Sequence, residues 1–151
     1  MNRIIITLIS IALLVSCSHK IYPVRSCNLI SEQNGTLTLR SVGYGSQKVM
    51  AMDDAETNAL ETLLFRGVPG TQYSSPLIEI DEVRAKESNP KYFNDLLKNA
   101  RSKSFITSSV PVSEYSRSEY NTWTISVDVT INVVPLRKDL EAHGIIRKFG
   151  L

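Results

Sequence analysis

The chain reads as an α+β domain: a small antiparallel sheet of about three to four strands with helices packed on one face. Two segments predict this. Tyr120 to Val134 places Trp123, Ile125, Val127, Val129, Ile131 and Val133 at every second position, with Thr124, Ser126, Asp128, Thr130 and Asn132 between them. Successive side chains on a strand point to opposite faces, so this segment has one buried face and one wet face. Gln47 to Arg66 instead repeats its apolar positions at steps of three and four: Val49, Met52, Ala55, Ala59, Leu60, Leu63 and Leu64. That spacing draws a single stripe along a helix. A one-faced sheet and one-striped helices bury each other in two layers.

The elements follow in chain order. Met1-Asn2-Arg3 supplies a charged start, and Ile4 to Val15 is an apolar run broken only by Thr7 and Ser10. A helix needs about 20 apolar residues to cross a bilayer, so this run is too short and reads as a signal peptide over residues 1–16. It closes on Leu14-Val15-Ser16-Cys17. These four residues resemble the lipobox of bacterial lipoproteins. The resemblance implies cleavage before Cys17, a diacylglycerol on its thiol and further acylation of the new amino terminus. Two or more acyl chains hold a protein stably on a membrane, at about 0.8 kcal/mol per buried CH₂. Ser18 stands where an aspartate would imply inner-membrane retention, so the resemblance implies an outer-membrane address. Ser18-His19-Lys20 lacks an acidic export run, which implies a periplasm-facing position.

Residues 17–35 are expected to be a lipid-anchored tether, and 36–151 a single domain. Pro23, Ser26, Ser31 and the turn signal Asn34-Gly35 break any period in the tether, although Tyr22, Val24, Leu29 and Ile30 leave room for a short extended piece. Thr36 to Tyr44 alternates as a strand, with Leu37, Leu39 and Val42 apolar. The Gln47–Arg66 helix has Ser46 as its expected N-cap and is stopped by Gly67 and Pro69-Gly70. Lys48, Asp54, Glu56 and Glu61 fall off its stripe. Ala55 and Ala59 let it lie close to a sheet. Val68 to Pro76 is a loop by composition, and Leu77 to Ile80 is a short strand or an irregular stretch. Pro90 opens a second helix to about Ala100, with Tyr92, Phe93, Leu96 and Leu97 apolar. Phe105 to Tyr115 and Tyr120 to Val134 form a hairpin that turns at Ser116 to Glu119, and Pro111 restricts the first strand to an edge or a bulge. Pro135 ends the second strand, and Leu136 to His143 is a short helix stopped by Gly144.

Composition narrows the function classes. Lys and Arg number 17 and Asp and Glu 15. Loss of Arg3 with the leader brings the net charge to about +1, against the clustered basic surface that nucleic acid requires. Cys17 and Cys27 are the only cysteines, so lipidation of Cys17 leaves Cys27 without an intramolecular partner and excludes a disulfide framework. Cys27 is then a packed or idle thiol, a free reactive one, or an intermolecular link.

The candidate chemistry is sparse. Gly43-Tyr44-Gly45 sits between a strand and a helix, the setting of phosphate-cradling loops. The third glycine of a dinucleotide loop is missing, because position 48 is Lys48, and the simpler reading is a tight turn under a closely packed helix. Asp53, Asp54 and Glu56 are acids in the early part of a helix, where the dipole favours them anyway. His19 and His143 are the only histidines, too few for a metal site. Cys27 with His143 is the one conceivable nucleophile–base pair, and no Gly-x-Ser-x-Gly elbow exists. The reading is therefore a protein without enzymatic activity or cofactor.

Ser41-Val42-Gly43-Tyr44-Gly45, followed by the Ala55/Ala59 helix, is similar to a family of small bacterial lipoproteins that includes flagellum-associated outer-membrane members. The similarity covers residues 40–65, with looser agreement in the Trp123 hairpin, and the chain departs from the family at Leu64-Phe65-Arg66-Gly67-Val68-Pro69-Gly70, which lacks further alanines. It implies helices on a small antiparallel sheet and a non-enzymatic envelope component that binds other proteins. It carries over no catalytic residue. The alternative is a periplasmic module for a small ligand or cell-wall fragment, using Gly43, Tyr44, Gly45 and Ser46, or Tyr73 in the loop Val68 to Pro76.

Overall fold

The computed structural model describes residues 25–148. The leader, the lipidation candidate Cys17 and His19 lie outside them. The elements are β1 (Cys27–Gln33), β2 (Thr36–Gly45), α1 (Lys48–Glu61), α2 (Glu82–Ser88), α3 (Pro90–Leu97), β3 (Ile106–Pro111), β4 (Ser116–Arg117), β5 (Trp123–Asn132) and α4 (Val133–Ala142). The strands form one antiparallel sheet in the order β1-β2-β5-β3, with the two-residue β4 also paired to β5. The expected class, an antiparallel sheet with helices packed against it, is the one observed.

The two central strands carry the architecture. β2 and β5 pair without a break from Thr36 opposite Asn132 to Gly45 opposite Trp123. Leu37 and Leu39 join Ile125, Val127, Val129 and Ile131 on the inner face, all buried. Ala51, Ala55, Ala59, Leu60 and Leu63 of the first helix pack there, with Phe93 and Leu96 of α3 and Leu136 and Leu140 of α4 in the same core. The outer face is polar. Thr38 and Thr130 share a hydroxyl hydrogen bond of 3.1 Å. Arg40 donates to both Asp128 oxygens, at 2.7 and 2.8 Å.

Several local expectations are corrected. β1 occupies part of the segment expected to be tether. Asn34 and Gly35, with φ of 48° and 76°, make the two-residue turn that joins it to β2. Its side chains are mostly exposed, so it lacks the alternation that marked β2. Val49 is off the buried stripe at 68% exposure, and Ala51, which shares a face with Ala55 and Ala59 at steps of four, is buried instead. Glu56 and Glu61 are buried rather than off the packed face, each held by a lysine: Lys103 on Glu56, Lys86 on Glu61. The N-cap is Gln47, without a side-chain bond; the Ser46 hydroxyl donates to Met50 Sδ at 3.0 Å.

The end of the first helix widens into a π-turn over Thr62–Arg66, closed by the Gly67 amide donating to the Thr62 carbonyl at 2.9 Å. The carbonyls of Leu63 and Leu64 accept instead from the amides of Leu77 and Ile78. Leu77 to Ile80 is thus an irregular stretch, fixed by completing a helix end. α2 was not expected. It buries only Ala85, so it draws no stripe, but Asp81 caps it through Oδ1 to the amides of Val83 and Arg84. α3 ends at Leu97, short of Ala100. The hairpin turn lies later than expected: Ser116 and Arg117 still pair with β5, and the Ser118 amide closes the turn onto the Thr122 carbonyl at 2.8 Å. β5 runs straight into α4, whose first turn contains Pro135, a place where a missing N–H costs no helical bond.

Candidate functional site

Gly43 and Gly45 share the inner-face parity of Leu37 and Leu39, and α1 descends directly onto them. A Cβ on Gly43 would stand 2.0 Å from the Ala51 carbonyl oxygen, and one on Gly45 would stand 2.5 Å from the Ala51 nitrogen. The space a ligand would need at this turn is filled by helix backbone. The Tyr44 amide donates to Asp54 Oδ2 at 2.9 Å, so that donor too is taken by the helix. Tyr73 does not join this group. Its carbonyl accepts from Val68 N at 2.7 Å, and the neighbouring Gln72 amide reaches Glu32 Oε2 at 3.4 Å, at the opposite end of the sheet from Gly45. Burial, with Glu32 nearby, raises the Tyr73 phenol. The five candidate residues Gly43, Tyr44, Gly45, Ser46 and Tyr73 do not form one site.

The structure does assemble two polar clusters that sequence spacing did not reveal. The first lies along α1. Arg25 reaches Asp54 at 2.9 Å and Glu61 at 3.2 Å, while Lys86 reaches Glu61 at 2.8 Å and Glu82 at 2.6 Å. A cleft of about 340 Å³ opens beside them, lined in part by Thr57, Phe93, Asn94 and Leu97. Burial raises the Asp54 carboxyl; the Tyr44 amide and Arg25 oppose that shift, and Glu61 adds to it. Burial pulls the Lys86 ammonium down, but its hydrogen bonds to Glu61 and Glu82 outweigh this and leave it raised. Each Glu61 oxygen accepts from one cation, Oε1 from Lys86 and Oε2 from Arg25. The cluster acts as a clamp between the start of β1, α1 and α2.

The second cluster ties α3 to α4. Asp139 accepts from Tyr92 Oη at 2.8 Å and from Arg101 Nη2 at 2.6 Å. His143 Nδ1 lies 2.8 Å from the Asp139 carbonyl oxygen, and its Nε2 lies 3.3 Å from Arg101. A cleft of about 580 Å³ beside it is lined in part by Lys91, Asp95 and Ile145. The Tyr92 ring lies 4.9 Å from that of His143, centre to centre, and its hydroxyl is engaged by Asp139. Cys27 lies elsewhere, bonded toward Thr62 and Ser41 with its thiol raised by burial. The Cys27–His143 pair is not formed. Among the described residues no group of three or more His, Cys, Asp or Glu is placed to hold a metal ion, and no helix is long and apolar enough to cross a membrane.

No protein-family model, curated protein or solved structure matches this chain.

Proposed function

We propose that the chain is a lipid-anchored cell-envelope protein that serves as a non-enzymatic interaction or assembly subunit. The leader and Leu14-Val15-Ser16-Cys17 support the anchor. The observation that carries the interaction reading is the β1 edge. Among the described residues its outer side is unpaired in the sheet order, and Leu29 and Ile30 stand 37% and 46% exposed on it. Natural edges are blunted by lysine, proline or a bulge. β1 has a bulge at Ile30 but neither lysine nor proline, whereas the opposite edge strand ends on Pro111. An extended segment of a partner protein would add to β1 through main-chain hydrogen bonds.

A photo-crosslinking residue at position 30, followed by gentle membrane solubilisation and pull-down, tests this reading. A discrete envelope protein joined at that position is the expected result. A chain with no protein partner but a tightly retained metabolite overturns it. Cys17→Ser is expected to abolish lipid labelling and release the protein; normal membrane retention of that variant refutes the anchor. The small-ligand alternative at Gly43 to Ser46 draws no support from a turn already filled by α1.

A further inference from the structure

β1 runs antiparallel to β2, with Cys27 opposite Ser41. Just before it, the Ser26 carbonyl accepts from Val42 N at 3.0 Å. The chain therefore enters the sheet beside Val42, about 10 Å from Gly45 at 3.4 Å per residue. Gly45 pairs with Trp123, and α1 begins at Lys48. The entry of the tether, the start of α1 and the start of β5 all lie at one end of the domain.

That end has a distinctive surface. Lys48 Nζ lies 4.9 Å from the centre of the Trp123 ring and 5.3 Å from that of Tyr115. Arg117 Cζ lies 4.3 Å from the Trp123 centroid. The ring thus sits among two cations. Around it Val49 is 68% exposed, Met50 51% and Tyr120 45%. Asp53, Glu114 and Glu119 are exposed acids nearby in sequence, so the surface is amphipathic rather than strongly basic. Tryptophan and tyrosine with apolar and cationic neighbours match the water–lipid boundary, where an apolar body and a polar tip are both satisfied.

We propose that this tip rests on the bilayer to which the chain is tethered, with Val49, Met50 and Tyr120 at headgroup depth and Lys48 and Arg117 against lipid phosphates. The inference depends on the anchored reading above. The length of the tether favours it. The residues from Cys17 to Arg25 reach at most about 30 Å when fully extended, and β2 alone spans about 34 Å. A lipid on Cys17 keeps the Trp123 end within that reach of the membrane, and the other end of the sheet lies a strand length farther along the chain's path from the anchor.

Trp123 is the only tryptophan, so its emission reports this end of the molecule directly. The full lipidated chain is reconstituted on phosphatidylethanolamine–phosphatidylglycerol vesicles whose acyl chains are brominated near the glycerol. Expected is a loss of Trp123 emission of about twofold relative to unbrominated vesicles, since interfacial docking brings the ring within reach of the quencher. The doubly substituted Val49→Asp, Tyr120→Asp chain changes only exposed side chains; it is expected to float with the vesicles and melt as the parent does, without quenching. A parent chain that floats but is not quenched overturns the docking and leaves the anchor standing. So does quenching that survives the double substitution, or Trp123 protection that needs an added envelope protein. A parent chain that fails to float overturns the anchor and this inference together.

Discussion

Gly43 and Ala55 meet across the sheet–helix interface so closely that a Cβ on Gly43 would stand 2.8 Å from the Ala55 Cβ. The same atom would be 2.4 Å from the Ala55 nitrogen and 2.0 Å from the Ala51 carbonyl oxygen. The Gly-x-Gly pair is a seat for the helix. Small residues on both sides let α1 settle onto the end of the sheet, and the hydrogen bond from Tyr44 N to Asp54 pins it there.

Gly43→Ala should therefore be severely destabilising. The atoms it would strike are backbone, which cannot swing aside as a flexible side chain can, so α1 must lift from the sheet. Overpacking of this kind costs about 3 kcal/mol or more. Gly70→Ala is the control: nothing lies within 4 Å of its added Cβ, and only its positive φ of 82° is unfavourable, at a cost of about 1 kcal/mol. Thermal melts of both variants decide the matter. A Gly43→Ala protein as stable as Gly70→Ala would show that the interface is not tight.

Val127→Asp tests the register of β5. Val127 is fully buried, opposite Ser41 on one neighbour and Pro111 on the other. An ionised carboxylate there has no partner, at a cost of several kcal/mol. Loss of a cooperative unfolding transition is expected. An unchanged melting temperature would place that side chain on the wet face.

The sheet was legible because β5 and the inner half of β2 are half-buried strands, and half-burial is what writes a period of two into a sequence. The stripe of α1 was legible for the same reason at its own period, apart from the exposed Val49. β1 was obscured because an edge strand with few buried side chains needs no alternation. α2 was obscured because a helix that buries only Ala85 needs no stripe, and its one signal was the Asp81 cap. The polar clusters were hidden more deeply. Asp139 meets Tyr92 of α3 and Arg101 of the short 3-10 turn Ala100–Ser104 through tertiary packing, and Glu61 meets Lys86 across a loop that no local pattern encodes. The glycine turn could be read in either of two ways, and only the position of α1 separates them.

Cys27 should be a slow thiol. Burial is the main influence on it and raises it; hydrogen bonding toward Thr62 and Ser41 and the charge of Arg66 act the other way without reversing the shift. Only the thiolate attacks an alkylating reagent. In the folded chain at about pH 8, iodoacetamide should modify Cys27 at least about tenfold more slowly than in urea, where an ordinary thiol is a substantial fraction ionised. Equal rates in the two conditions would mark Cys27 as an exposed, reactive group and revive the intermolecular-link reading.

Tyr92 and Asp139 make the stability of the domain sensitive to alkaline pH. Tyr92 is buried, and burial first, then its hydrogen bond to Asp139, raise its phenol above the ordinary value of 10.0, while Arg101 pulls weakly the other way. A group whose pKa is raised on folding holds its proton more tightly in the folded chain. Its contribution is complete below the unfolded value and is lost as the pH climbs through the folded one. Urea midpoints of the parent should accordingly fall more steeply above about pH 10 than those of Tyr92→Phe, which has no proton to lose there. At neutral pH the phenylalanine variant should be weaker by about 1 kcal/mol, the net worth of one hydrogen bond to a carboxylate that keeps Arg101 as a partner. The two effects have opposite signs, so the difference between the curves should narrow as the solution becomes more alkaline. Parallel curves across that range would show that the Tyr92 hydroxyl is not held by Asp139 in solution.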